Sequence, residues 1–133
     1  MDDFDVYLDV KFVEGSGGDV CGGLVFRKSS KGWQHGAYFF KICNDSTYKI
    51  QYHGQDGWEN VSTWKYEPAI QRTDWNRIEI SARGDHFTFT INNLKIYEMD
   101  DGRSSEGGLA ILIDIPDDNP AVIEFDNFGY SAY

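Results

Sequence analysis

A strict alternation of apolar and polar side chains near the start of the chain constrains the fold more than any other feature. Apolar residues occupy every second position from Phe4 to Phe12, and Tyr7 or charged residues fill the positions between them. Only a β-strand places residues i and i+2 on one face, so this pattern indicates a strand with one buried face. We therefore expect a sheet that packs through this face against a second layer.

Further strand-like segments follow, separated by short turns such as Gly84-Asp85 and Asn92-Asn93. About ten strands result, at the spacing that is typical of sandwiches and barrels, and no convincing amphipathic helix interrupts them. The sequence thus predicts an all-β protein, an antiparallel β-sandwich. The predicted strands are residues 4–12, 20–27, 36–43, 47–53, 60–66, 77–82, 87–91, 94–97, 108–114 and 121–130.

Size and charge limit the partners. The length of 133 residues fits a single domain, residues 1–133, which we expect to belong to a longer protein because strand-like sequence lies close to both ends. The formal net charge of -10 disfavours nucleic acid and anionic membranes as partners. No apolar run approaches the roughly 20 residues needed for membrane insertion. Aromatic residues make up 16% of the chain, more than a small core needs, so we expect some at the surface.

The two cysteines lie in a predicted hairpin centred on Gly32, in which Cys21 faces Cys43. Directly opposed residues are close enough for a disulfide only in some pair geometries. One interpretation is a pair of free thiols packed as small hydrophobes. The other is a cross-strand disulfide, as expected in a secreted protein. The sequence leaves both open.

The same hairpin assigns side chains to two faces. Even-numbered residues such as Phe26 and Phe40 are assigned to the core, and odd-numbered residues face outward. An aromatic ring beside hydrogen-bonding groups on the outward face suits the stacking and hydroxyl contacts that a saccharide needs. Tryptophans in or beside loops add to this surface. The candidate ligand-binding residues are Arg27, Phe39, Gln51, His53, Trp58 and Trp64.

Each candidate has a simpler interpretation. Arg27 could form a cross-strand ion pair, and His53 could be an ordinary surface histidine. Phe39 would be a core residue if the strand parity were wrong by one position. The interpretation as a ligand surface therefore depends on parity.

Seven short motifs follow one another along the chain: Cys21 to Arg27, Tyr38 to Phe40, Trp75 to Ile80, Arg83 to Asp85, Ile91 to Asn93, Gly107 to Ala110 and Glu124 to Phe128. This ordered series resembles the concanavalin A-like lectin/glucanase superfamily, in particular its laminin-G-like and family 66-type carbohydrate-binding modules. The resemblance implies a jelly-roll of two antiparallel sheets, with ligand on the concave face or in the loops at its rim. It makes Arg27 the counterpart of the motif arginine.

The resemblance also implies a structural calcium ion near the chain ends, held in part by Asp126. First and last strands often pair in this fold, so we expect Asp3 to approach Asp126 and share the metal. Calcium takes six to eight oxygen ligands, largely carboxylates and carbonyls. Scattered surface acid is the alternative interpretation.

These observations predict a non-catalytic carbohydrate-binding module on an extracellular or cell-surface protein, with an oligo- or polysaccharide as its ligand. The glycosidase pattern Glu-x-Asp-x-x-Glu and the Gly-x-Ser-x-Gly motif are both absent from the sequence, which disfavours an enzyme. The alternatives are a laminin-G-like adhesion or sensory module and a small glycoside-acting hydrolase of the same fold.

Overall fold

A computed structural model describes residues 3–14, 20–104, 107–115 and 121–133 of the chain. These ranges form eleven strands and a short 3-10 turn, Trp33–His35. The strands are β1 (Phe4–Glu14), β2 (Cys21–Lys28), β3 (Ala37–Cys43), β4 (Thr47–Gly54), β5 (Gly57–Asn60), β6 (Lys65–Tyr66), β7 (Trp75–Arg83), β8 (His86–Ile91), β9 (Leu94–Asp100), β10 (Gly108–Asp114) and β11 (Val122–Ala132).

The strands form two sheets with antiparallel pairing throughout. One sheet has five strands in the order β11-β1-β7-β8-β9, and the other has the order β10-β2-β3-β4-β5 with β6 beside β4. The prediction of an antiparallel β-sandwich is confirmed. Within the described ranges, no helix has the length and apolar character needed to cross a membrane.

Alternation along the strands builds the core between the sheets. Val6, Leu8 and Val10 of β1 are almost fully buried, as the period-two pattern predicts. The six-stranded sheet supplies even-numbered aromatic residues that meet rings of the opposite sheet: Phe40 lies 5.1 Å from Phe89 between ring centroids. Burial of these side chains, each worth about 1.5–3 kcal/mol, is the main favourable contribution to the free energy of folding.

The pairing of β2 with β3 has the predicted register. Cys21 lies opposite Cys43, and Val25 lies opposite Phe39. The sequence left two states of the cysteines open, and the structure contains the disulfide, with the two Cα atoms 4.0 Å apart. The bond ties β2 to β3 at the end of the pair away from their connecting turn.

The expectation that Arg27 lies on the outward face is wrong. Between Val25 and Lys28, β2 has one more residue than the facing segment of β10, and Arg27 has a positive φ of 47°. This bulge turns two successive side chains, Phe26 and Arg27, toward the core side. The Arg27 side chain is 0% exposed, and its guanidinium carbon lies 4.6 Å from the Phe87 ring centroid.

Backbone carbonyls compensate the buried charge. The Arg27 Nη2 donates to the Gly84 carbonyl oxygen at 2.7 Å, and Nη1 donates to the Ser104 carbonyl oxygen at 3.3 Å. These bonds connect β2 to the β7–β8 turn and to the segment that precedes β10. Arg27 is therefore a structural residue at one end of the sandwich and does not contribute to a ligand surface.

A second difference concerns residues 57–66. The sequence predicts a loop containing Trp58 and then a strand over 60–66, whereas the structure has β5 at Gly57–Asn60 and only a two-residue strand at Lys65–Tyr66. Gly57 has a φ of 92°, which supports the tight turn that folds β5 back onto β4. Trp58 therefore lies in a paired strand, opposite His53.

The disulfide should stabilise the domain substantially. Replacing both cysteines by alanine (Cys21→Ala with Cys43→Ala) should lower the free energy of unfolding by about 3 kcal/mol, because the bond closes a chain segment with a separation of 22 residues. Urea denaturation measures this change, and wild-type protein unfolded with a reductant should give a similar loss. Equal stability of oxidised and reduced wild-type protein would contradict the prediction.

Removing the buried guanidinium should also destabilise the fold. Arg27→Met is expected to lower the free energy of unfolding by about 2–3 kcal/mol, because the Gly84 and Ser104 carbonyls lose a charged donor. The matched control is Arg83→Met, since the Arg83 side chain is 47% exposed and its loss should cost much less. Urea denaturation of both variants gives the comparison, and similar losses would argue against a structural role for Arg27.

Candidate functional site

The outer face of the six-stranded sheet contains a groove of about 590 Å³. It crosses β3 and β2 and reaches the edge strand β10. Residues of five strands and of the 3-10 turn line it, although β2 and β10 are far apart in the sequence. The lining residues are Val25, Lys28, Trp33, Phe39, Lys41, Gln51, Trp58, Ala110, Ile111, Leu112, Ile113 and Asp114.

The floor of the groove is a small apolar cluster separate from the sandwich core. Val25, Ala37 and Phe39 form its centre, and Ala110 and Leu112 of β10 pack against it. All three central residues are odd-numbered members of the β2–β3 pair, so the predicted parity is confirmed for them. Phe39 projects away from the core as expected, yet it is only 6% exposed because other aromatic rings lie over it.

Those rings form one wall. Trp58 lies 4.8 Å from Phe39 and 5.5 Å from Trp33 between ring centroids. The imidazole of His53 packs edge-on against both tryptophans, and its Nδ1 is 3.0 Å from the Gln34 carbonyl oxygen. Trp58 remains 51% exposed and Trp33 38% exposed, so both rings present an accessible surface above the floor.

Sequence reasoning missed Trp33. This residue lies in the 3-10 turn that joins β2 to β3, directly after Gly32, which has a φ of 116°. The argument that selected Trp58, a tryptophan outside a predicted strand with no evident packing role, applies equally to Trp33. Its contact with Trp58 depends on how the β2–β3 and β4–β5 turns come together, and this arrangement is a tertiary property.

Polar groups lie beside the aromatic wall. Gln51 is directly opposite Phe39 on β4, and its Nε2 is 3.5 Å from Asn60 Oδ1. Lys41 Nζ donates to Asp114 Oδ2 at 2.8 Å, which bridges β3 and β10 at one end of the groove. The groove thus combines an apolar floor and flat rings with amide, ammonium and carboxylate groups.

Trp64 borders this polar end. The ammonium groups of Lys41 and Lys49 lie 5.2 Å and 4.9 Å from the Trp64 ring centroid, within the range of cation–π attraction. Lys41 and Lys49 are direct cross-strand neighbours. Burial, followed by repulsion from Lys41, lowers the pKa of Lys49 from its ordinary value. Burial is thus the larger cause of the lowered pKa of Lys49, and the ammonium group of Lys41 is the smaller one.

Five of the six ligand-binding candidates from the sequence lie in or beside the groove. Phe39, Gln51 and Trp58 line the groove, while His53 supports its wall and Trp64 its polar end. Arg27 is the exception, because the bulge in β2 places it in the interior.

The expectation that Asp3 approaches Asp126 to share a metal ion is wrong. The first and last strands pair as expected, but Asp126 lies opposite Asp9, six positions beyond Asp3, or about 20 Å along the strand. Asp3 Oδ1 instead accepts a hydrogen bond from the Gly84 amide. Among the described residues, no group of three or more His, Cys, Asp or Glu side chains could hold a metal ion. These two aspartates do not fit a shared calcium ion, and calcium itself stays a prediction.

A smaller depression of about 350 Å³ lies near the β4–β5 turn. Its most prominent charge, Arg103, is held by Asp101 at 2.6 Å and also pairs with Glu59. The guanidinium carbon lies 4.3 Å from the Tyr52 ring centroid. Because these interactions already engage the cation, the larger groove is the stronger candidate site.

The charge interaction at the polar end can be measured. Lys41→Met should raise the pKa of Lys49 toward its ordinary value, since one of the two causes of its depression is removed and burial remains. NMR titration of the lysine side chains reports this pKa. Lys95→Met on β9 is the control and should leave it unchanged; an unchanged pKa in Lys41→Met as well would show that burial alone depresses it.

Solved structures share this architecture. A carbohydrate-binding module, CBM66, from Bacillus subtilis has a TM-score of 0.75 and 20% identity, with 98% of this chain and 75% of that chain covered. Sheep galectin-11, in complex with glycerol, has a TM-score of 0.68 and 11% identity, with coverage of 97% and 90%. The GH43 protein BlXynB from Bacillus licheniformis has a TM-score of 0.71 and 12% identity, with coverage of 98% and 28%.

These likenesses confirm the predicted concanavalin A-like jelly-roll fold. A comparison with curated protein sequences found no match. The sequence does match a family of saccharide-related domains over nearly its whole length, residues 1–128. The chain belongs to the 3-keto-alpha-glucoside-1,2-lyase-like domain family.

Proposed function

We propose that this domain is a non-catalytic saccharide-binding module whose ligand lies in the groove on the outer face of the six-stranded sheet. The observation that carries the proposal is the pair of partly exposed rings, Trp33 and Trp58, above an apolar floor. Sugar rings have apolar C–H faces and hydroxyl rims, so a binding surface needs flat aromatic rings beside hydrogen-bonding groups. Gln51, Lys41 and Asp114 supply such groups along the same groove.

The size of the groove agrees with this function. Ligand sites in proteins generally measure about 300–1,000 Å³, and the groove has about 590 Å³. It extends over the width of several strands to the edge at β10, so an oligo- or polysaccharide could continue beyond it. The names of CBM66 and galectin-11 describe a carbohydrate-binding module and a lectin, and they support the same ligand class.

The domain would act as part of a larger extracellular or cell-surface protein. The Cys21–Cys43 disulfide supports this location, because such bonds persist in oxidising compartments and are rare where thiols are kept reduced. The net charge of -10 supports a partner other than nucleic acid. A binding module would hold a neighbouring domain close to its polysaccharide and raise the local concentration of substrate.

The family description favours a second candidate, a sugar-acting enzyme that uses the same groove. Hydrolysis by a retaining or inverting glycosidase uses two carboxyl groups, and a lyase needs a base. Among the described lining residues, Asp114 is the only carboxylate, and it is engaged by Lys41. Binding is therefore the better-supported function. Release of sugar from a 3-keto-glucoside, lost in Asp114→Asn, would favour the enzyme.

A laminin-G-like adhesion role is less well supported. It predicts a broad apolar patch without a groove of saccharide size. The edge strand β10 does expose Ile111 and Ile113, but both residues also line the groove. The exposed apolar surface of this edge is thus part of the candidate saccharide site.

Affinity electrophoresis or calorimetry against inulin, levan, xylan, β-glucan, polygalacturonate and dextran sulfate tests the proposal. Trp58→Ala should weaken binding about tenfold or more, because it removes an exposed ring from the wall. Trp75→Ala is the matched control, since Trp75 lies on β7 of the other sheet. No binding across the panel, or equal binding by both variants, would contradict a saccharide site in this groove.

A further inference from the structure

We propose that the groove selects anionic saccharides, those that carry carboxylate or sulfate groups, through the lysines at its ends. This inference rests on the proposed saccharide-binding function and specifies its ligand class. Lys41 and Lys49 lie together at one end beside Trp64, and Lys28 lines the other end. The three residues are called the lysine patch below.

The lysine patch is positively charged, whereas the protein as a whole has a formal net charge of -10. The chain has 12 lysines and arginines against 22 acidic residues. Among the described residues, Lys28 and Lys41 line this groove with one aspartate, Asp114, and Lys49 lies directly opposite Lys41 on the neighbouring strand. Asp114 pairs with Lys41 at 2.8 Å. Within the described part of the chain, Lys28 and Lys49 take part in no ion pair. Among the described residues at the groove, ammonium groups therefore outnumber carboxylates.

The placement of Lys41 opposite Lys49 has an energetic cost. Like charges directly opposite each other on neighbouring antiparallel strands destabilise the pair, and both side chains are partly removed from water here. Contact with Trp64 offsets part of this cost through cation–π attraction. A local arrangement that opposes folding and lies beside a ligand groove is typical of a binding site.

An anionic ligand would relieve this repulsion. A carboxylate or sulfate oxygen accepts charge-assisted hydrogen bonds from ammonium groups, which are stronger than bonds to neutral hydroxyls. The ammonium group of Lys49 is available to such a ligand group. The ammonium group of Lys41 would donate both to the ligand and to Asp114. The acidic surface elsewhere repels anions, so the groove is the region where an acidic saccharide would be favoured. Sugar rings would stack on Trp33 and Trp58 between the two lysine ends.

Pairs of polymers that differ only in charge isolate this preference. Polygalacturonate is compared with its fully methyl-esterified form for carboxylate, and dextran sulfate with dextran for sulfate, each by calorimetry at low and high salt. We expect one or both charged polymers to bind at least tenfold more tightly than their neutral partners. This difference should shrink at high salt because added ions screen the lysines.

Variants assign the preference to the lysine patch. Lys49→Met should reduce the charged-to-neutral affinity ratio severalfold. Lys95→Met, on the other sheet, should leave the ratio as in the wild type. Thermal unfolding should show that Lys49→Met remains folded, since the substitution removes a repulsion.

The outcomes separate this inference from the function on which it rests. Equal binding of charged and neutral polymers, or an unchanged ratio in Lys49→Met, overturns the anionic preference and leaves saccharide binding in place. Absence of binding to these four polymers and to inulin, levan, xylan and β-glucan overturns both the anionic preference and the saccharide-binding function. A charged preference that persists in Trp58→Ala and vanishes in Lys95→Met would place the ligand outside the groove and overturn the inference as well.

Discussion

The register between β2, β3 and β4 is the constraint on which the site depends. Even-numbered side chains of these strands meet the five-stranded sheet, and odd-numbered ones face outward. A shift of one residue would exchange the two sets and expose the core aromatic residues to water. The same burial that holds the sandwich together therefore determines that Phe39, Gln51 and Lys41 share one outer face. The disulfide lies in the same register and joins β2 to β3.

One local departure from this register, the bulge in β2, gives neighbouring residues of the strand different roles. The bulge in β2 gives the strand an extra residue and turns Arg27 into the interior, where backbone carbonyls of two other segments accept its hydrogen bonds. Beyond the bulge, Lys28 faces outward again and lines the groove. The strand thus contributes both a buried cation to the fold and an accessible cation to the site.

The outer face shows how far sequence patterns can identify a site. Alternation in β3 and β4 was sufficient to place Phe39, Gln51 and His53 together, since cross-strand neighbours follow from hairpin register. Trp58 was identified from its loop-like surroundings, although it lies in a strand. Trp33 and the edge strand β10 were missed as site elements. Their positions depend on how segments distant in the sequence pack together, and local periodicity does not predict this packing.

The amino-acid sequence by itself determined the all-β class, most strand positions and the register that places Cys21 opposite Cys43, whereas the disulfide between them became evident only in the structure. These properties follow from period-two alternation and turn residues, which act between neighbours in the chain. Only the tertiary structure decided that Arg27 is buried, that Asp3 and Asp126 lie apart, and that β10 completes the groove. Each of these depends on a bulge or on register between strands distant in sequence, where the free energy of packing the whole sandwich selects the arrangement.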